Sequence, residues 1–219
     1  MLPRVLEPEV MDSVEEARDY DSMDHSGDNR VFVADFLTCW DQKGPVLDVG
    51  TGTAQIPIEL ARHAPKAQIV AIDLAEHMLE VGRENVRQAG FADRIRLERQ
   101  DAKRLPYPSH SFAAVISNSI VHHIPEPGKV LAEMVRVTRP GGLLFVRDLL
   151  RPASDEVVRS LVSTYAGDAN AHQQQMFEES LRAALSLAEI RNLVSKLKFD
   201  AATVEQTTDR HWTWHAKNV

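Results

Sequence analysis

Acidic residues and glycines follow predicted strands in the first half of the chain, where they could hold a polar ligand. A short apolar segment is followed by the run Asp48-Val49-Gly50-Thr51-Gly52, after which apolar residues recur at helical spacing. This pattern is typical of a buried strand, a tight glycine turn and the start of a helix. Such a turn presents backbone N–H groups and a helix N-terminus to a ligand carboxylate or phosphate. Asp48 would repel a phosphate, and therefore favours a ligand that also carries an amino group or a cation.

Two further acids, Asp73 and Asp101, end the second and third predicted strands. Asp73 lies 23 residues after Gly50, close to the roughly 20-residue spacing of acids that bind ribose hydroxyls. Asp101 could accept a hydrogen bond from the exocyclic amine of adenine, and a helix N-cap or turn is the alternative explanation for this acid. The neighbours that could complete a nucleoside site are Leu74 and Met78, against the adenine face, and Ala102, through its N–H.

Adjacent histidines, His122 and His123, follow the fourth predicted strand. We do not expect a metal site here, because consecutive side chains diverge and no Asp, Glu or Cys lies nearby at ligand spacing. Two hypotheses remain for the pair. One imidazole could act as a general base toward a substrate, or it could be a structural residue that orients the loop before Pro125.

The elements that would position these residues alternate between strands and helices from residue 45 onward. Strands are predicted at 45–47, 68–73, 94–98, 112–118 and 143–148, helices at 76–88 and 127–137, a turn at 139–142, and a closing hairpin of strands 200–204 and 210–215. This alternation predicts an α/β fold with a Rossmann-like, doubly wound, mostly parallel seven-stranded sheet and an antiparallel C-terminal strand. Ligands bind such sheets at the carboxyl ends of the strands.

The segments on either side of this core are predicted to be largely helical. Residues 1–43 are expected to form a cover over the ligand site, with one helix near residues 9–20 and a second capped by Asp28. In that cover, Tyr20 could face the ligand, and Arg30 could pair with a ligand carboxylate or remain a solvated charge. We therefore expect one domain, in which 44–150 is the ligand-binding core and 151–219 is a helical insertion, with a polar break at 167–175, followed by the hairpin.

The composition of the chain argues against several classes of protein. The 219-residue chain has a formal net charge of −7 and a sequence pI near 5.7, which disfavours a nucleic-acid partner because such surfaces need clustered Lys and Arg. The single cysteine, Cys39, excludes an internal disulfide and fits a reducing compartment. With neither a signal peptide nor a membrane span in the pattern, we expect a cytoplasmic protein.

Between residues 44 and 148, five motifs occur in the order V-L-D-V-G-T-G-T, I-V-A-I-D-L, Q-D-A, F-A-A-V-I-S-N-S-I-V-H-H-I and L-x-E-M-x-R-V-T-R-P-G-G. Together they resemble class I S-adenosylmethionine-dependent methyltransferases, near the branch typified by ubiquinone and menaquinone C-methyltransferases. One departure is Ala54, which stands where that family usually has a third glycine. The resemblance implies S-adenosylmethionine as cofactor and S-adenosylhomocysteine as its product.

The resemblance also implies roles for individual residues. Gly50 and Gly52 would hold the methionine end of the cofactor. Asp73 would bind its ribose, Asp101 its adenine, and Asn118 would lie near the amino group or the sulfonium. A His-His pair occurs in this loop of many members with unlike substrates, which favours the structural role for it. The full set of predicted cofactor contacts is Tyr20, Arg30, Asp48, Gly50, Thr51, Gly52, Asp73, Leu74, Met78, Asp101, Ala102 and Asn118.

The expected reaction is methyl transfer to a small-molecule acceptor by in-line displacement, in which the protein acts mainly by alignment. A nicotinamide-dependent oxidoreductase is one alternative, but Gln55 replaces the third glycine of the dinucleotide fingerprint and no Tyr-x-x-x-Lys pair follows the fourth strand. A non-catalytic protein that holds S-adenosylmethionine is another. Methylation of RNA or protein is less well supported, since no basic stripe or Asn-Pro-Pro-Tyr-like tetrapeptide occurs.

Overall fold

In the computed structural model, which describes residues 2–7 and 12–218, strands and helices alternate along most of the chain. The strands are β1 (Val46–Val49), β2 (Ile69–Asp73), β3 (Ile95–Arg99), β4 (Phe112–Asn118), β5 (Thr138–Leu149), β6 (Val204–Gln206) and β7 (His211–Lys217). The helices are α1 (Val14–Ser22), α2 (Ser26–Cys39), α3 (Gln55–His63), α4 (Glu76–Gln88), α5 (Pro127–Val137), α6 (Asp155–Ala166), α7 (Ala171–Ala183) and α8 (Leu187–Lys196). Short 3₁₀ turns occupy Val121–His123 and Ala201–Thr203.

The strands form one seven-stranded mixed sheet in the order β3-β2-β1-β4-β5-β7-β6. β1 pairs in parallel with both β2 and β4, so that Val46 lies opposite Ile69 and Ala114. β6 and β7 are antiparallel, with Val204 opposite Trp214. The predicted α/β fold with a mostly parallel seven-stranded sheet and an antiparallel C-terminal strand is therefore confirmed. The carboxyl ends of β1, β2 and β4 meet at one edge, which brings their terminal polar residues together.

The chain divides into two compact units, which are described separately. The sheet unit comprises Val10–Asn118, Lys129–Val146 and His215–Val219. The helical unit comprises Met1–Glu9, Ser119–Gly128 and Arg147–Trp214.

Each unit has its own apolar core. In the sheet unit, the Phe32 and Phe36 rings of α2 pack edge-on against Phe145 of β5, with ring centroids 5.2 and 5.8 Å apart. These rings belong to a larger buried cluster that includes apolar residues of β1, β2, β4 and α3. In the helical unit, Leu161 of α6 and Leu181 of α7 share a smaller cluster. The larger core thus backs the strands whose ends carry the predicted ligand residues.

The structure corrects two predicted boundaries in the N-terminal segment. The first helix runs from Val14 to Ser22, beyond its predicted end, while the predicted residues 9–11 lie outside the described part of the chain. The second helix begins at Ser26 with His25 at the N-cap, so Asp28 lies in its first turn and is not its cap. An acid in the first turn still interacts favourably with the helix dipole.

Three further boundaries differ in the C-terminal half. The predicted turn at 139–142 is instead the start of β5, because Gly141 N–H donates to Asn218 O and Asn218 N–H donates to Gly142 O. The predicted polar break at 167–175 is shorter, since Asn170 caps α7 through Gln173 N–H. The predicted strand at 200–204 is a 3₁₀ turn until Val204, where β6 begins.

No helix within residues 2–7 and 12–218 has the length and apolar character needed to cross a lipid bilayer.

Candidate functional site

The glycine turn joins β1 to α3 in the sheet unit, and both Gly50 and Gly52 have positive φ. The N–H groups of Gly50 and Thr51 donate to Ile72 O at 2.8 and 2.9 Å. Gly52 N–H donates to Asp73 Oδ2 at 2.8 Å. These three N–H groups therefore donate to β2 and not toward a ligand, whereas the expectation was that the turn presents backbone N–H groups and a helix N-terminus. No side chain caps the start of α3, so the helix N-terminus is the group that this turn offers to a ligand carboxylate.

Ala54, the residue in place of the expected third glycine, has a left-handed φ of 64°. That conformation disfavours a non-glycine residue by roughly 1–2 kcal/mol, which explains why a glycine suits this position. The turn is also crowded by α4 at Gly82, where a Cβ would lie 3.3 Å from Ala54 Cβ and 3.2 Å from the Thr53 carbonyl carbon. Gly82 therefore permits the close approach of α4. Sequence reasoning missed it, although an isolated glycine within a helical pattern is a signal for such contacts.

Asp73, the predicted ribose-binding acid, lies at the end of β2 beside the glycine turn. Its Oδ2 accepts from Gly52 N–H at 2.8 Å and its Oδ1 accepts from Ala75 N–H at 3.0 Å. A carboxylate oxygen can accept more than one hydrogen bond, which is the property that binding to ribose hydroxyls would require. The structure thus brings Asp73 and Gly52 together, as their positions at neighbouring strand ends predict.

Asp48 is the most unusual acid of the sheet unit, since its side chain is 2% exposed. Among the described residues, none donates a hydrogen bond to Asp48 Oδ2, and the buried Thr53 hydroxyl is likewise without a partner. Burial raises the pKa of Asp48 to about 7, and the nearby charge of Asp73 adds to the shift. A buried carboxylate oxygen without a donor is unfavourable unless a ligand supplies one. The amino group of an amino-acid ligand would do so, and this chemistry fits the methionine end of S-adenosylmethionine.

Tyr20 of α1 lies over the glycine turn, as the predicted cover requires. A Cβ built on Gly52 would lie 3.6 Å from Tyr20 Cε1. The ring also packs against His25, with centroids 4.9 Å apart. Burial raises the pKa of the Tyr20 hydroxyl to about 12, and the carboxylates of Asp73, Asp21 and Asp48 add to the shift.

A half-buried network of polar side chains connects this cover to the turn, and sequence reasoning missed it. Asp21 Oδ1 accepts hydrogen bonds from Gln55 Nε2 at 3.1 Å and from Asn85 Nδ2 at 2.8 Å. Asn85 Nδ2 also donates to Thr53 O at 3.1 Å, and Asn29 Nδ2 donates to Gln55 Oε1 at 3.2 Å. Gln55, which breaks the dinucleotide fingerprint, therefore has a structural function in linking α1, α2 and α3.

The remaining predicted cofactor contacts have mixed placements. Met78 is buried in a small apolar cluster with Ala17 of α1, so it contributes to core packing. Asp101 Oδ1 accepts from Lys103 N–H at 2.9 Å and pairs with Lys103 Nζ at 3.3 Å. These contacts are those expected if Asp101 stabilises a turn. Arg30 is exposed on α2. Residues at intermediate exposure are Leu74, Ala102 and Asn118.

The histidine pair lies in the helical unit, where it belongs to a charged cluster with Asp148 and Glu7. His122 Nδ1 lies 2.5 Å from Asp148 Oδ1, and His123 Nδ1 lies 2.9 Å from Glu7 Oε1. Burial disfavours the charged form of His122, but Asp148 and then Glu7 outweigh it and raise the His122 pKa. Burial alone would raise the pKa of Asp148, but His122 outweighs it and lowers that pKa. The two groups thus form a buried, coupled pair.

Both reasons given above against a metal at this pair were wrong. The two imidazole rings converge, with centroids 4.1 Å apart, because they lie on a 3₁₀ turn. A carboxylate is also close, since Glu7 Oε1 lies 3.5 Å from His122 Nε2. Glu7 and Asp148 were not singled out by spacing, because the contacts join residues that are distant in sequence.

Comparison with known proteins supports this interpretation of the fold and the motifs. Residues 46–142 match a family model described as a methyltransferase domain. A ubiquinone/menaquinone biosynthesis C-methyltransferase of Geobacter sulfurreducens is 34% identical over 116 residues, which cover 52% of this chain and 45% of that protein. A demethylmenaquinone methyltransferase of Deinococcus radiodurans is 41% identical over 109 residues, covering 50% and 44%. The chain therefore matches less than half the length of these curated relatives.

Solved structures share the whole fold at low sequence identity. A SAM-dependent methyltransferase of Aquifex aeolicus superposes with a TM-score of 0.68 at 19% identity, covering 95% of this chain and all of that one (100%). A putative S-adenosyl-L-methionine-dependent methyltransferase of Methanococcus maripaludis gives a TM-score of 0.71 at 16% identity, covering 98% and 97%. The expected family resemblance is confirmed over residues 46–142, and S-adenosylmethionine, the expected cofactor, is the one on which these solved proteins depend by name. Residues 46–142 thus resemble a methyltransferase domain, within a fold shared with solved S-adenosylmethionine-dependent methyltransferases.

Proposed function

We propose that this chain transfers a methyl group from S-adenosylmethionine to a small-molecule acceptor. The observation that carries the proposal is the buried Asp48 carboxylate beside the glycine turn, whose Oδ2 has no donor among the described residues. An ammonium group is the natural partner for such an oxygen. The hydrogen bond between Gly52 and Asp73 places a second carboxylate next to the turn, where ribose hydroxyls would be held.

The chain's own residues would act by binding and orientation. Asp48 would hold the amino group of the cofactor, the N-terminus of α3 its carboxylate, and Asp73 its ribose. Asp101, with Ala102, would flank the adenine, while Asn118 at the end of β4 would face the sulfonium end. The bound cofactor supplies an activated methyl group with a neutral leaving thioether, so alignment of the two reactants can provide most of the acceleration.

A small-molecule acceptor is supported by the charge of the chain and by its relatives. The net charge of −7 disfavours a nucleic-acid acceptor. The two relatives are named as a ubiquinone/menaquinone biosynthesis C-methyltransferase and a demethylmenaquinone methyltransferase. A catalytic role for His122 is poorly supported, because the side chain is 3% exposed and each ring nitrogen faces a carboxylate. His123 is 22% exposed and stays the better of the two predicted general bases.

Calorimetric titration with S-adenosylmethionine, S-adenosylhomocysteine and NADH tests the cofactor. We expect both sulfur compounds to bind, and the Asp73→Asn variant to bind them roughly 10- to 100-fold more weakly through loss of a charged hydrogen-bond acceptor. The matched control is Asp93→Asn, an exposed aspartate in the turn before β3, which should bind as the wild type does. Binding of NADH instead would support the oxidoreductase alternative.

Formation of S-adenosylhomocysteine in the presence of phenols and reduced quinones tests the transfer step. Product formation that depends on one acceptor class would support the proposal and identify the substrate. Binding of both sulfur compounds with no turnover on any small-molecule acceptor would favour the non-catalytic alternative. If neither S-adenosylmethionine nor S-adenosylhomocysteine binds, the proposed function is excluded.

A further inference from the structure

We propose that Glu7, His122 and His123 form a binding site for a divalent transition-metal ion of the zinc type. The three side chains each offer one ligand atom, and these atoms all lie within 4.8 Å of one another. The site lies entirely within the helical unit. It uses none of the residues proposed to hold the cofactor, but it would occupy His123, which would then act as a metal ligand and not as a general base.

Two of the three distances between the ligand atoms are close to those of a metal site, and all three are within 4.8 Å. In a tetrahedral zinc site with bonds near 2.1 Å, neighbouring ligand atoms are about 3.4 Å apart. Glu7 Oε1 lies 3.5 Å from His122 Nε2, which already matches that spacing. Glu7 Oε1 lies 2.9 Å from His123 Nδ1, so an entering ion would replace this hydrogen bond and separate the two atoms by about half an ångström.

The tautomer of His122 is set for metal binding by Asp148. Asp148 Oδ2 accepts from Val121 N–H at 2.5 Å and Oδ1 accepts from Leu149 N–H at 2.6 Å, so the carboxylate is fixed in place. Because Oδ1 also faces His122 Nδ1 at 2.5 Å, that nitrogen donates to Asp148, and Nε2, once it has lost its proton, presents its lone pair toward Glu7. Two acceptors then face each other, and only a proton or a cation between them removes the repulsion. A carboxylate behind a ligating histidine is also the usual outer support of zinc sites.

Glu7 is held at the site by its own segment. Arg4 donates from Nε to Ala183 O at 2.7 Å and from Nη2 to His122 O at 3.0 Å. Val5 N–H donates to Arg182 O at 3.1 Å. These bonds fasten residues 4–7 to the 3₁₀ turn and to the end of α7, so the carboxylate is positioned before any ion arrives.

The ligand set and the charge select the kind of ion. With both imidazoles neutral, Glu7 and Asp148 contribute two negative charges, of which the neighbouring Arg4 offsets one. Two imidazoles and one carboxylate suit Zn²⁺ or Co²⁺, whereas Mg²⁺ and Ca²⁺ need oxygen ligands. Three protein ligands leave a fourth position for water, and the 22% exposure of His123 gives access from solvent.

Titration of chelator-treated full-length protein with Zn²⁺ and Co²⁺ tests this site. We expect one ion per chain with micromolar or tighter affinity, the visible absorption of tetrahedral Co²⁺, and a higher unfolding temperature with zinc. Glu7→Gln and His123→Ala should each weaken binding at least 100-fold. Asp148→Asn should weaken it by roughly 10–100-fold, the range for an outer supporting carboxylate.

The matched control is His63→Ala, which removes a histidine that lies 3.0 Å from Glu59 outside the cluster and is largely exposed. Its zinc affinity should equal that of the wild type, and circular dichroism should show each variant to be folded. His123→Gln provides a second, less disruptive variant. The proposal is overturned if the wild type binds no zinc at one equivalent, which would indicate a proton-bridged ion pair only. It is equally overturned if Glu7→Gln and both His123 variants bind as tightly as His63→Ala.

Discussion

Asp48 and Asp148 lie near the ends of two strands of one sheet, are about equally buried at 2% and 1% exposure, and have opposite electrostatic behaviour. Asp48 has a carboxylate oxygen with no donor among the described residues, and burial raises its pKa to about 7. Asp148 accepts from His122 and from three backbone N–H groups, and its pKa is lowered. The comparison teaches that burial alone does not decide the charge of a carboxylate, because the donors around it do. Missing donors point to an absent ligand, whereas a complete set points to structural support.

The largest effect should come from removing the charge of Asp148. Asp148→Asn removes the nearer of the two carboxylates beside buried His122, so we expect the free energy of unfolding to fall by about 3 kcal/mol at pH 7. The isosteric Asp48→Asn change removes a buried charge that has no partner, and should not destabilise the ligand-free protein. Urea denaturation of both variants measures the difference. Equal losses in the two variants would contradict the comparison.

A smaller loss is expected from crowding the glycine turn. In Gly82→Ala, the new Cβ would lie 2.8 Å from Leu97 Cδ2 and 3.2 Å from the Thr53 carbonyl carbon. The leucine tip can move but the backbone cannot, so we expect destabilisation by about 1–3 kcal/mol and weaker cofactor binding. Gly90→Ala is not a clean control, because Gly90 has a φ of 76°. Gly27→Ala is suitable, since no other group lies within 4 Å of the position that its Cβ would occupy.

A pH dependence of stability should separate the two aspartates. The folded-state pKa of Asp48 is about 7, above its unfolded value near 3.8, so the folded protein binds the extra proton. The stability from this group is full below about pH 4 and is lost as the pH rises toward 7. Asp148 has the opposite sign, because its lowered pKa gives stability above its unfolded pKa that is lost on acidification.

We therefore expect Asp48→Asn to gain stability relative to the wild type as the pH rises from 5 to 8. Unfolding free energies of both proteins at several pH values in that range measure the gain. A difference that stays constant with pH would show that Asp48 keeps an ordinary pKa. Saturating S-adenosylmethionine should reduce the gain, because its amino group would favour the charged form of Asp48 in the wild type.

Sequence reasoning succeeded where function depends on local order along the chain. Asp48, Asp73 and Asn118 end neighbouring parallel strands, so alternation of strands and helices was enough to place them at one edge of the sheet. It failed for Glu7, which reaches the histidine pair through contacts between distant segments. It also failed for the direction of the two imidazoles, since a single 3₁₀ turn decides whether adjacent side chains diverge.

Errors in the predicted elements have a similar origin. The segment 139–142 has the composition of a turn, but pairing of Gly141 and Gly142 with Asn218 extends the strand instead. The link from Asp21 to Asn85 could not be read from spacing, because it joins two helices that meet only in the folded chain. Local patterns therefore predicted the strand ends well and the contacts between distant helices poorly.

The hydrogen bond between Gly52 and Asp73 fixes the distance between the glycine turn and the carboxylate at the end of β2. Because Ala75 N–H also donates to the Asp73 carboxylate, the side chain is in this position before a ligand binds. A ligand that spans the two points meets a gap of fixed length, so the side-chain ordering of about 0.5–1.5 kcal/mol that binding would otherwise require is already complete. The site would therefore select ligands by length as well as by charge. An analogue one bond shorter or longer could reach the turn or the Asp73 carboxylate, but not both.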